Sequence, residues 1–261
     1  MELSLNGRRA VICGSTQGIG LGIARELALL GADCILLARD EARLQVCTRE
    51  LPCKDGQTHD YRVADFSDPT QVEAAIASVL SRGPVHILIN NTGGPAPGPI
   101  TEARSDAFSQ AFTQHVVNNQ TLATAVLPGM KMAGYGRIIN VISTSVRIPL
   151  KNLGVSNTIR GAVASWAKSL SNEVAAHGIT VNNVLPGFTE TGRLDSLIRS
   201  IAADRGVSED IIRKQMSAEV PAGRFGIVAE IASLAGFLAS PAAAYINGTS
   251  IPVDGGRTGS I

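Results

Sequence analysis

The sequence has no excess of either charge: 23 Lys and Arg residues face 22 Asp and Glu across 261 residues, for a formal net charge of +1. That balance removes the electrostatic basis for expecting nucleic acid or an acidic membrane as a partner. Long apolar runs are missing as well, and the longest fall far short of a bilayer's thickness. Residues 1–5 carry neither the basic nor the apolar region of a secretory signal. Cysteine is sparse, and Cys13, Cys34, Cys47 and Cys53 include no CxxC pair. No metal site is expected from them. Cys13 and Cys34 sit inside apolar runs and are expected as buried thiols. A reducing, cytoplasmic setting fits this usage. With no repeat, low-complexity stretch or linker to divide it, the chain is expected to form a single domain.

What is present is an alternation. Apolar, β-rich runs occupy 10–13, 34–38, 58–63, 86–90, 137–142, 180–184 and 249–253. Helical periodicity fills the intervals near 18–30, 40–51, 69–81, 104–133, 153–177 and 227–239. Continuous apolar strands are buried on both faces, and strands alternating with helices imply parallel crossovers. The expected class is α/β: a Rossmann-like, doubly wound parallel sheet of about seven strands with helices on both faces. Such sheets bind ligands beyond the carboxyl ends of their strands, where the candidate residues fall.

The first of these ends carries Gly14, Ser15, Gly18, Ile19 and Gly20 between a strand and a helix. Glycines let the backbone approach an anion closely, and a new helix offers unpaired N–H groups with the positive end of its dipole. A diphosphate-bearing cofactor is implied. At the tip of the second strand stand Ala38 and Arg39, where an acidic residue would grip a ribose diol. A guanidinium beside an uncharged residue suits a 2′-phosphate, favouring NADP(H) over NAD(H); the alternative is a solvated arginine at a helix start. Asp40 and Asp68 read as caps of the helices that follow them. Asp65 and Phe66 fall at the adenine end. Asn91, Thr92 and Gly93 end the fourth strand, and Asn91 either faces the nucleotide or braces the central strands.

Together these residues resemble the short-chain dehydrogenase/reductase family over nearly the whole chain. Gly14, Gly18 and Gly20 look like its cofactor loop, and Asn90 to Gly93 like its Asn-Asn-Ala-Gly with Thr92 for Ala. Pro186, Gly187 and Thr191 look like its loop after the sixth strand, where Thr191 would meet the nicotinamide carboxamide. The stretches 221–226, 230–232, 237–240 and 252–256 resemble the acyl-carrier-protein ketoreductase branch. The family's catalytic group is an Asn, a Ser and a Tyr-xxx-Lys pair. Aligned on 136–140, the serine falls on Ser143, the Tyr and Lys positions on Ser156 and Arg160, and the Asn position on His115. None of Tyr61, Tyr135 and Tyr245 has a Lys four residues later. An alkanol is a poor proton donor beside a phenol, and an arginine cannot cycle protons near neutral pH. Arg160 can still hold ribose hydroxyls, and the four-residue spacing keeps it on one helical face with Ser156. His115 is the residue of this set that titrates in a useful range, with a structural histidine as the alternative. Lys151, between Ser143 and Ser156, either points toward the site or is a surface lysine.

In the resembling family, the region corresponding to 190–220 is a mobile substrate lid. Here Leu194, Leu197, Ile198 and Ile201, then Ile211, Ile212 and Met216, either line a pocket for a carbon-rich substrate or simply pack. Arg193, Asp195 and Arg199 read as a solvated helix face. The family resemblance also implies a homodimer or homotetramer built on 104–133 and 153–177, with Ala162, Ala164 and Ala167 permitting close helix approach. The implied activity is hydride transfer between NADP(H) and a small carbonyl or alcohol substrate with a non-standard proton-transfer site. The alternatives are a dinucleotide-binding sensor or partner protein, and a non-redox lyase or isomerase in the same cleft.

Overall fold

Strand β1 (Arg9–Cys13) sends Ala10 and Ile12 into one apolar core and Val11 and Cys13 into another. A strand buried on both faces belongs inside a covered sheet. In the computed structural model, which describes residues 1–54 and 56–260, β1 lies third of seven strands. The others are β2 (Asp33–Ala38), β3 (Asp60–Val63), β4 (Ile87–Asn90), β5 (Gly136–Val141), β6 (Ile179–Pro186) and β7 (Ser250–Val253). Their order is β3-β2-β1-β4-β5-β6-β7, and every pairing is parallel. The Rossmann-like sheet read from the sequence is the one observed.

Helices α1 (Gly18–Leu29), α2 (Glu41–Arg49) and α9 (Val228–Ala239) cover one face, on the core that holds Ile12, Leu36 and Ile89. The opposite face carries α3 (Pro69–Leu80), α5 (Asn118–Ala133) and α6 (Gly154–Val174), on Val11, Leu37 and Leu88. Asp40 and Asp68 cap α2 and α3 as expected, accepting from the N–H groups of Arg43 and Thr70 at 3.0 Å each. Cys13 and Cys34 are fully buried, and burial pushes the Cys13 thiol up to about 12, so neither is a nucleophile near neutral pH.

Three expectations shift. Strand β3 begins at Asp60 rather than at 58, because the Thr58 N–H is taken by Asp33 Oδ1 (2.7 Å) and the Cys34 N–H by His59 Nδ1 (3.2 Å). The ladder starts only after those side-chain bonds end. Residues 104–133 are not one α-helix. A short α4 (Ser105–Phe112) and α5 are joined by a single π turn, Thr113–Val117, whose wider winding turns His115 inward. Ala167 faces the sheet at 1 % exposure, so it cannot belong to an outward helix-approach face.

Beyond β6, α7 (Gly192–Arg205) and α8 (Glu209–Ala218) share a small core of their own made of Leu194, Ile198, Ala202, Ile212, Met216 and Phe225. Asp195–Arg213 (2.6 Å) and Arg199–Glu209 (3.5 Å) clasp the two helices from outside. Asp195 and Arg199, two of the positions read as a solvated face, therefore join the pair. No helix in the described residues is long and apolar enough to cross a membrane.

Candidate active site

The chain leaves β1 into Gly14, whose φ of +60° suits glycine. A Cβ there would stand 2.4 Å from the Asn91 carbonyl oxygen, and a Cβ on Gly20 would stand 2.2 Å from the Gly14 oxygen. The turn is closed by the Asn91 amide, whose Nδ2 donates to the carbonyls of Cys13 and Gly14 at 3.2 Å each. Asn91 thus braces β1 against β4 while also lining the adjoining cleft. The Ser15 hydroxyl is buried and donates to Leu37 O (3.4 Å), so its side chain supports the turn rather than opening onto it. Gln17 precedes α1 without a side-chain cap, and the first turn holds no acidic residue. A helix start with free N–H groups, next to a turn too tight for a Cβ, fits the diphosphate of a dinucleotide.

At the tip of β2, Arg39 is exposed and forms no ion pair among the described residues. Across from it, Asp65 Oδ1 accepts from the N–H (2.9 Å) and hydroxyl (2.8 Å) of Ser67, which hold its carboxyl below the usual range. Phe66 packs its ring on the core beneath, and its carbonyl accepts from Asn118 Nδ2 at 2.8 Å. Between the ends of β4, β5 and β6 lies a cleft of about 210 Å³. Ile19, Thr92, Pro186, Gly187 and Thr191 line it as the motifs suggested. Beside Thr92, Gly93 has nothing within 4 Å of where its Cβ would be. Thr191 caps α7 through its Oγ1, accepting from the Leu194 N–H at 3.4 Å, and it faces Gly18.

Ser143, Ser156 and Arg160 all line this cleft. The Ser143 Oγ accepts from the Ser145 N–H at 3.1 Å, which leaves its own proton free to donate. Ser156 is buried on the first turn of α6, and its hydroxyl has no partner among the described residues. Four residues on, Arg160 is 7 % exposed. Its Nη1 donates to Val141 O at 3.1 Å, and no carboxylate pairs with it. Burial, with Arg193 nearby, lowers this guanidinium to about 10, so it stays cationic at neutral pH. Lys151 is exposed and lines a separate cavity beside Pro99 and Asn157, not the cleft.

Of its two readings, His115 sits where a structural histidine would. It does not line the cleft and reaches it only through Thr92, whose Oγ1 lies 2.8 Å from its Nδ1. Burial first, and the Arg160 charge second, push it down from 6.5 to about 3. The native ring is therefore neutral at physiological pH and does not titrate there. Because the folded pKa is depressed, the unfolded chain alone takes up this proton between pH 6.5 and 3, and stability falls as pH drops through that window. Urea denaturation at pH 7 and pH 5 tests this. His115→Gln is expected to spare about 2 kcal/mol of the acid-induced loss, whereas equal losses in both proteins would assign the acid sensitivity elsewhere.

A family model described as enoyl-(acyl carrier protein) reductase matches residues 14–258. The chain belongs to the short-chain dehydrogenase/reductase family. It is an oxidoreductase of that kind. The 3-oxoacyl-(acyl-carrier-protein) reductase FabG of Vibrio cholerae is 35 % identical over 257 residues, covering 97 % of this chain and 98 % of the relative. L-sorbose reductase from Gluconobacter frateurii, solved with NADPH and L-sorbose, superposes with a TM-score of 0.94 at 32 % identity, covering 100 % of both chains. A gluconate 5-dehydrogenase from Burkholderia cenocepacia, solved with NADP and tartrate, gives 0.88 at 32 % identity, covering 100 % of this chain and 98 % of the other.

Within this short-chain dehydrogenase/reductase, none of the three tyrosines lines the cleft. Tyr61 sits on β3, Tyr245 is fully exposed, and Tyr135 lies under Arg8 and Arg137 with its hydroxyl on Ala239 O. Two arginines that no motif marks also line it. Arg193 reaches from the first turn of α7 to the β4–α4 loop, where its Nη2 lies 3.5 Å from Pro95 O and both terminal nitrogens lie against Gly94. Arg257 lies 4.0 Å over the Phe188 ring and pairs with Glu219 at 3.0 Å. A charged residue at a helix start reads as solvated. No local pattern reveals that a loop from another strand end passes beneath it.

Proposed function

We propose that the protein is an NADP(H)-dependent reductase or dehydrogenase of a carbonyl or alcohol substrate, working without a tyrosine–lysine pair. The reading rests above all on the uncapped start of α1 behind the Gly14–Gly20 cradle, opening beside a cleft that holds Ser143, Ser156 and Arg160. The cradle and helix start receive the diphosphate, with Ile19, Asn91, Thr92, Gly93, Pro186, Gly187 and Thr191 against the nicotinamide half and Asp65 and Phe66 at the adenine end. Arg39, exposed and unpaired, takes the 2′-phosphate, in keeping with the NADP-containing relatives above.

When bound, the nicotinamide supplies or accepts the hydride. Everything else falls to the chain. Arg160, fixed by Val141 O, donates to the ribose hydroxyls. Ser143 points its free proton at the substrate oxygen and polarises it. The proton itself comes from water reached through Ser156, because neither an alkanol nor a cationic guanidinium ionises near neutral pH. His115 holds Thr92 from behind as a neutral ring. The α7–α8 pair acts as a lid whose inner face, Leu194 and Leu197, meets the substrate. Assembly into a dimer or tetramer uses the outer faces of α4 to α6, where Phe112 and Val117 remain exposed.

Fluorescence titration is expected to show saturable NADPH binding, followed by carbonyl-dependent loss of its absorbance. Arg39→Ala is expected to weaken NADPH by roughly tenfold or more and NADH by less than about twofold. Absence of binding to either nucleotide removes the proposal, and equal weakening removes the preference.

A further inference from the structure

The cleft carries unbalanced charge. Arg160, Arg193 and Arg257 line it, and no carboxylate does among the described residues. Arg257 is balanced by Glu219 and held on Phe188. Arg160 and Arg193 are balanced by nothing: neither forms an ion pair, and each spends a single hydrogen bond on a backbone carbonyl. A guanidinium has five donors, so most of theirs remain unused. Arg160 is 7 % exposed, and a buried charge without a counter-ion is costly to keep. The Arg193 charge adds to the cost of keeping Arg160 charged. A protein gains from such an arrangement when a ligand supplies the missing charge. The rest of the lining is largely apolar, with Ile142, Leu150, Leu153, Leu194 and Leu197 around the polar floor.

We infer that this cleft takes a substrate bearing an anionic group, a carboxylate or phosphate, bound by Arg193 in the field of Arg160, with an apolar body against the leucines. The inference rests on the reading of this cleft as the substrate site and names the class of substrate. Arg193 is the reachable partner: its fork spans the mouth of the cleft between α7 and Gly94, and its loose 3.5 Å contact with Pro95 O is readily exchanged for a bidentate anion. The cofactor's diphosphate is the other possible source of that anion, but it already has donors in the free N–H groups of α1.

The probes are 2-oxo-4-phenylbutanoate and its ethyl ester, titrated calorimetrically into the protein with and without saturating NADPH. The acid is expected to bind about tenfold or more tightly than the ester, with the margin shrinking as salt rises. Arg193→Ala is expected to erase that margin while changing ester and NADPH affinity by less than about twofold. Gly94→Ala gives a second route to the same loss without removing the charge, because its Cβ would stand 2.6 Å from both terminal nitrogens of Arg193 and push the fork aside. Equal affinity for acid and ester, or no binding of either, overturns the inference. So does an Arg193→Ala variant that loses NADPH affinity and keeps its acid preference, which would give Arg193 to the diphosphate. A protein that fails to bind NADPH but still prefers the acid would remove the cofactor reading alone.

Discussion

Gly20→Ala is expected to lose roughly a hundredfold in NADPH affinity and about 2 kcal/mol of stability from one added methyl group. That methyl would stand 2.2 Å from the Gly14 carbonyl oxygen and 2.6 Å from Asn91 Nδ2. Neither neighbour can give way cheaply. The Gly14 carbonyl is backbone, and the Asn91 amide is committed to the Cys13 and Gly14 carbonyls. Relief must come from opening the turn, which moves the free N–H groups of α1 out of line with a diphosphate. Losing two charge-assisted hydrogen bonds removes about 3 kcal/mol, hence the hundredfold. Thermal melting and nucleotide titration of the same preparation check both effects. Affinity retained within about threefold would show that the cradle does not carry the cofactor.

Arg160→Met is expected to move stability and binding in opposite directions. Burial lowers the guanidinium to about 10 from 12.5, a cost of about 3 kcal/mol for keeping it charged in the folded state. Methionine keeps the apolar stem and discards the charge. It also loses one hydrogen bond to Val141 O, so the net gain in urea denaturation is about 1–2 kcal/mol. NADPH is expected to bind roughly tenfold or more weakly, since the donors for the ribose are gone. The His115 pKa rises in the variant because one cause of its depression has been removed, and NMR titration of the ring reads this directly. A variant that is both less stable and unchanged in binding would make Arg160 an ordinary structural residue.

The sheet was legible because its strands are short, apolar on both faces and separated by helical periodicity. The glycine cradle and the Asp40 and Asp68 caps were legible because each depends on neighbours a few residues away. Ser156 and Arg160 were placed on one face by helical spacing alone, and both line the cleft. Features that depend on distant chain segments were not legible. The depressed ring of His115 depends on burial and on a charge carried by α6. Arg193 is exposed as its position reads, but its reach to Pro95 O in the β4–α4 loop depends on a segment far away in sequence. The apolar positions of α7 and α8 do not divide by periodicity: Leu194 and Leu197 line the cleft while also packing on the core that Ile198, Ile212 and Met216 share.

The π turn between α4 and α5 has a directional consequence. Each α-helical residue advances the azimuth by about 100°, so roughly one surplus residue within a turn swings everything downstream by about that angle. Helix α4 accordingly packs on α6, while α5 leans on α3. Residues 105–133 thus present one face to α6 before the π turn and another to α3 after it, and a one-residue change of length between 113 and 117 would rotate sixteen residues of helix toward the wrong neighbour.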